Sequence, residues 1–232
     1  MNTRFIILFL SVTVLICIGA TARADILVEQ LPDLTGGPYS DTDYFNMFGQ
    51  PRWQREADNI LLTQDDTVRR VTWWGFYGGS GTPATPPPAT ETIQVRFMRS
   101  RPADGLPDES AVLFDQVFLS PMRTSTGRII AVGGLPVEQV FSVDLATPIA
   151  LQSGVPYWLE IVQLGDVNSG LRWEAALDSV ANHAFINPLT PGWFSAEGGL
   201  AFQLLDVPEP AAFVLILMSA ALVMRCGCRV RR

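Results

Sequence analysis

Ile93-Gln94-Val95-Arg96-Phe97-Met98 decides the fold, because its branched and aromatic apolar residues recur at every second position. A period of two puts Ile93, Val95 and Phe97 on one face of a pleated strand and Gln94, Arg96 and Met98 on the other. The pattern recurs along the chain. Phe141, Val143 and Leu145 alternate with Ser142 and Asp144, and Leu171, Trp173, Ala175 and Leu177 with Arg172, Glu174 and Ala176. Leu200, Phe202 and Leu204 repeat it near the end. Two runs, Val71 to Tyr77 and Pro156 to Leu164, are apolar on both faces and predict strands at the centre of a sheet. Turn formers separate these runs: Gly78-Gly79-Ser80-Gly81, Pro102 to Pro107, Gly133-Gly134 and Asn168-Ser169-Gly170. Thr82 to Thr90, with Pro86-Pro87-Pro88, reads as an extended exposed loop. No stretch of the body has the 3.6 period of an amphipathic helix. About ten short strands at this spacing predict an all-β fold, an antiparallel two-sheet sandwich resembling a jelly roll.

Apolar residues make up 48% of the 232, enough to bury a core and to exclude a disordered chain. All sixteen basic residues are Arg. Between Asp25 and Val207 only ten Arg stand against 22 acids, a formal balance of −12, while the other six Arg lie at the chain ends. Gripping phosphates needs clustered cations, so nucleic acid is not an expected partner. Cys17, Cys226 and Cys228 also lie at the ends. The body between them folds without disulfides.

The ends read as addresses. Residues 1–24 have the parts of a secretory signal: Arg4, an apolar run from Phe5 to Ile18, and small residues Ala22 and Ala24 around Arg23. Cleavage by signal peptidase is expected after Ala24, leaving an ectodomain over 25–206. Residues 207–232 begin with Pro208-Glu209-Pro210 and continue through fourteen residues, 211–224, whose one polar member is Ser219. As a helix that run would be ~21 Å long, short of a ~30 Å hydrocarbon core. It has no polar face, and Arg225, Arg229, Arg231 and Arg232 follow it, as in a transmembrane helix held with its end on the cytoplasmic side.

A Pro-Glu-Pro motif, a short apolar helix and an Arg-rich terminus in this order resemble the PEP-CTERM sorting signal. The resemblance covers about a tenth of the chain. It implies that Pro208, Glu209 and Pro210 are recognised by an exosortase-like membrane enzyme in a Gram-negative bacterium that makes extracellular polysaccharide. The chain would then be an inner-membrane precursor on its way to the cell envelope or extracellular matrix. More loosely, Gln54 to Ile60, Val71 to Tyr77, Tyr157 to Ile161 and Leu200 to Leu204 resemble a recurrent ectodomain of PEP-CTERM proteins. Ala57 to Ile60 departs from the Ala-Asp-Asp-Phe expected there, and that group brings no activity with it.

Chemistry is sparse in the body. His183 is the only histidine, which leaves no multi-histidine metal site, and no Ser stands in Gly-x-Ser-x-Gly context. The glycines at 78–81 lack the Lys of a phosphate loop, and no cofactor is expected. Paired carboxylates could serve a glycosidase, but 22 acids among so few cations read as a solvated surface. Asp41 and Asp43 stand at calcium-ligand spacing without the Gly and closing Glu of an EF-hand, so a polar loop is the preferred reading. Trp73 and Trp74 must face opposite sides of a strand. Trp193, in Pro191-Gly192-Trp193-Phe194, is the ring best placed for stacking on a sugar, although core packing is the commoner fate of such a residue. The expectation is an exported, non-enzymatic structural or adhesive protein. A glycan-binding sandwich module is the alternative, and a secreted carbohydrate hydrolase the third reading.

Overall fold

The computed structural model describes residues 24–42, 54–78, 87–132, 135–165, 170–177 and 182–207. Ile26–Asp206 forms one compact unit. The described residues contain twelve strands and no helix. The expected signal segment up to Arg23, the sorting motif, the apolar run 211–224 and the terminal arginines lie outside the described residues.

Two antiparallel sheets carry the fold. One runs in the order β1 (Asp25–Gln30), β12 (Phe202–Asp206), β3 (Asp66–Tyr77), β7 (Val137–Leu151) and β6 (Met122–Ile129), and β9 (Leu171–Trp173) also pairs with β3. The other runs β11 (Thr190–Glu197), β10 (Asn182–Asn187), β2 (Arg55–Leu61), β8 (Pro156–Gln163), β4 (Thr92–Ser100) and β5 (Pro107–Leu119). The doubly apolar runs sit where their composition requires. β3 lies between β7 and β12, and β8 between β2 and β4. Beside them, alternating strands turn one face inward.

That inward face is the main core. Ile93, Val95 and Phe97 of β4 meet Phe141, Val143 and Leu145 of β7, with Trp73 stacked on Phe141 at 5.1 Å and 6°. Trp73 is fully buried within it, and Trp74, its neighbour on the strand, is not part of that cluster. A smaller cluster of Ala57, Met98, Trp158, Ala184 and Trp193 packs on the other face of the second sheet. The N-terminal segment ties the sheets together. It runs beside residues 171–177 through Trp173 N–H to Pro38 O (3.1 Å) and Ala175 N–H to Gly36 O (2.8 Å), then crosses so that Asp41 exchanges hydrogen bonds with Gln54. A Cβ on Gly37 would lie 1.8 Å from the Trp173 carbonyl oxygen, so only glycine permits that approach.

Candidate functional site: three ways of burying a carboxylate

Seven acids are buried: Asp41, Glu56, Asp58, Glu91, Glu138, Glu160 and Glu174. The expectation of a solvated acidic surface therefore fails for these positions, and the groups they form are the most unusual chemistry in the domain. A carboxylate leaves water only if a cation, a set of donors or a proton neutralises it. All three solutions occur here.

Glu160 takes the first. It lies in the middle of β8, and the registry puts Ala57 on one side and Arg96 on the other. Its side chain is fully buried, with Arg55 Nε at 2.5 Å and Arg96 Nε at 3.2 Å. Arg55 also reaches Glu109 at 2.8 Å and lies over the Trp193 ring, 5.4 Å from its centroid.

Glu56 and Asp58, two residues apart on β2, share a face with Ile60 and point into the domain. Among the described residues no arginine pairs with them. Asp58 accepts from the Leu200 N–H and from Gln30 Nε2 (3.3 Å). Burial nevertheless pushes its carboxyl up to about 7. Burial also raises Glu56 well above the usual range, and the Asp58 charge adds to this. His183 lies directly across from Asp58 in the β10–β2 pairing. Its Nδ1 is 2.7 Å from the Gly198 carbonyl, which can only accept, so Nδ1 carries the proton and bare Nε2 faces Glu56 at 3.6 Å. Burial holds the imidazole toward its neutral form. These contacts fasten β2 to the Gly198–Leu200 segment and to β1. With both carboxyls fully buried, the arrangement is a structural latch that holds protons.

Glu138 and Glu174 combine the two solutions. Arg128 donates to both oxygens of buried Glu138. Burial pushes neighbouring Glu174 up to about 8, with the Glu138 charge raising it further. Glu174 accepts from the Leu34 N–H at 3.0 Å, and Leu34 has left-handed backbone (φ 63°). The pair thus braces a strained bend in the N-terminal segment.

The residues singled out in the sequence are not brought together. Trp193 is 5% exposed and covered by Arg55, so it offers no stacking platform. Its stretch belongs to β11, and the hairpin tip is the exposed Pro188-Leu189. Asp41 is fully buried and bridged to both Gln54 and Gln163 where a polar loop is expected, and Asp43 lies outside the described residues. Among the described residues no three His, Cys, Asp or Glu come together as a metal site.

The cleft at the side of the sandwich is of a different kind. It has a volume of about 520 Å³ and opens where Arg99 and Phe114 of the second sheet face Thr147 and Pro148 of the first. No family model matches this chain, and no curated protein matches it.

Proposed function

We propose that the chain is an exported cell-envelope protein of the PEP-CTERM kind, whose β domain serves outside the inner membrane as a structural or adhesive module and not as an enzyme. The observation that carries this is the order of Pro208-Glu209-Pro210, a fourteen-residue apolar run and four arginines at one end, with a signal-like segment at the other. The sheet pairings favour a jelly-roll topology. Residues 31–41 pair with 171–177, and β9, β3 and β7 follow in one sheet, while β2, β8, β4 and β5 follow in the other, the order of two Greek keys. Burial of Glu56 with Asp58, and of Glu138 with Glu174, favours a scaffold over a hydrolase, whose two carboxyls must reach substrate. The lateral cleft favours glycan binding as a second reading.

Intact mass of the protein recovered from its native host tests the sorting. The expected product begins at Asp25 and ends near Pro208-Glu209-Pro210. Changing Pro208, Glu209 and Pro210 to Ala should leave the chain anchored and uncut. Wild-type trimming of that variant would overturn the assignment.

A further inference from the structure

Arg99 stands apart from the other cations. Every other arginine among the described residues is in an ion pair, apart from Arg172, which donates to the Gly78 and Gly37 carbonyls and lies 3.8 Å from the centroid of the Tyr39 ring. Arg99 makes no such contact and is exposed at the end of β4. In a domain with 22 acids, only Arg99 and Arg172 among the described arginines lack a carboxylate, and Arg172 has carbonyls in its place.

It lines the lateral cleft of about 520 Å³, a volume within the ~300–1,000 Å³ of small-ligand sites. The floor is apolar. Phe114 is half-buried and held edge-on against Phe97 at 6.2 Å, and Pro148 faces it from β7. Polar groups stand beside it. Among the described residues β5 pairs only with β4, and β7 beyond Leu145 only with β3, with the Ala146 N–H donating to Gln116 Oε1 of β5 at 3.4 Å, so strand edges border the cleft. The Thr147 hydroxyl is exposed beside them, and Asp115, the one acid of the lining, is engaged by Gln94 Nε2 at 2.7 Å and Arg96 Nε at 3.9 Å.

We propose that this cleft binds a uronic-acid unit of an acidic saccharide, with the sugar carboxylate on Arg99. A pyranose ring has a C–H face that packs on an aromatic ring, and hydroxyls that need both donors and acceptors. The Phe114 floor meets the first need, and the strand edges with Thr147 meet the second. The carboxylate distinguishes a uronate from a neutral sugar, and a guanidinium takes it through two parallel N–H···O bonds. The net acidity of the domain repels a polyanion at long range, so recognition is confined to one unit at one cleft. The proposal deepens the glycan-binding reading and rests on it.

The test is titration of the full chain in detergent with a galacturonic-acid oligomer, a galactose oligomer of equal length and an oligoglutamate peptide. The uronate should bind best, and Arg99→Gln should weaken it about tenfold or more while leaving the galactose oligomer unchanged. Arg99→Lys should recover part of the loss, and Thr147→Val should weaken both sugars. Equal uronate affinity in Arg99→Gln would overturn the proposal, and so would equal binding of the peptide. If both sugars bind with the same affinity, the uronate claim falls and glycan binding stands. If no sugar binds, both fall, and sorting is still tested by the mass of the native product.

Discussion

Glu160 and Asp58 lie on adjacent strands of one sheet, both fully buried, yet one is held by cations and the other by a proton. The difference follows from the face each occupies. Glu160 shares the outer face of the sheet with Ala57 and Arg96, where long arginine side chains can lie flat and keep their ends near water. Asp58 points the opposite way, toward the core, where the partners in reach are amides and a neutral imidazole. The second arrangement should tie stability to pH.

The sharpest way to break this comparison is to remove the shared partner. Glu160→Ala takes the buried carboxylate from between Arg55 and Arg96. It leaves them only the surface acids Glu109, 2.8 Å from Arg55 and 3.8 Å from Arg96, and Asp115, 3.9 Å from Arg96. Arg96 is itself only 12% exposed. Loss of one partner of a buried ion pair costs ~3–5 kcal/mol. Urea unfolding of the full chain in detergent should show that loss equally at pH 5 and pH 8, because guanidinium does not titrate there. A loss that grows or shrinks between the two would mean that a proton, and not the arginines, neutralises Glu160.

Asp58→Asn should act in the opposite direction. The folded domain keeps a proton on Asp58 up to about pH 7, whereas the unfolded chain releases it near 3.8. Folding therefore takes up a proton in that window, and stability falls as pH rises through it. Glu56, raised by the same burial, adds a fall of the same sign. An amide still accepts from the Leu200 N–H, and the unpartnered Gln30 Oε1 can turn to accept from the new NH2. At about 1.4 kcal/mol per pKa unit, the variant should be up to ~4 kcal/mol more stable than wild type at pH 8 and no more stable at pH 4. Circular-dichroism melts across that range decide the matter. An unchanged pH profile would assign the slope to Glu56, since His183, held toward its neutral form, contributes a rise with pH and not a fall.

Much of this was legible in the chain. Ile93, Val95 and Phe97 predicted a strand with one buried face, and the doubly apolar runs predicted the central positions of β3 and β8. The buried acids were missed because composition was read in place of position. Glu160 interrupts Trp158-Leu159-Glu160-Ile161-Val162, a run expected to be buried on both faces, so that sequence alone demanded a partner for it. Glu56 and Asp58 share the period of Ile60, which put them on the core face. What no local pattern held was the identity of the partners. Arg55, Arg96 and His183 reach these acids through strand pairings that join residues 64 (Arg96 with Glu160) to 125 (His183 with Asp58) apart in the chain. Trp193 takes the commoner fate, core packing, and only the turn expected around it is displaced, for a local reason. Pro191 and Gly192 suggested a turn, but the hairpin reverses at Pro188-Leu189, and β11 then carries the ring into the smaller cluster.

The smallest expected effect comes from the exposed counterpart of the Glu160 site. Arg70 and Asp144 meet across β3 and β7 through two parallel hydrogen bonds of 2.6 and 3.0 Å, better geometry than Arg96 offers Glu160. Their side chains are 34% and 68% exposed. Water solvates both ions when the pair is absent, so little is lost by separating them, and salt screens what remains. Asp144→Asn should cost ~0.5 kcal/mol in low-salt buffer, and the cost should vanish near 1 M NaCl. The loss in Glu160→Ala should survive the same salt, because the carboxylate removed is fully buried and out of reach of counterions, with Arg55 and Arg96 only 19% and 12% exposed. Equal salt sensitivity in both variants would mean that burial, and with it the contrast between the two sites, does not set the strength of these pairs.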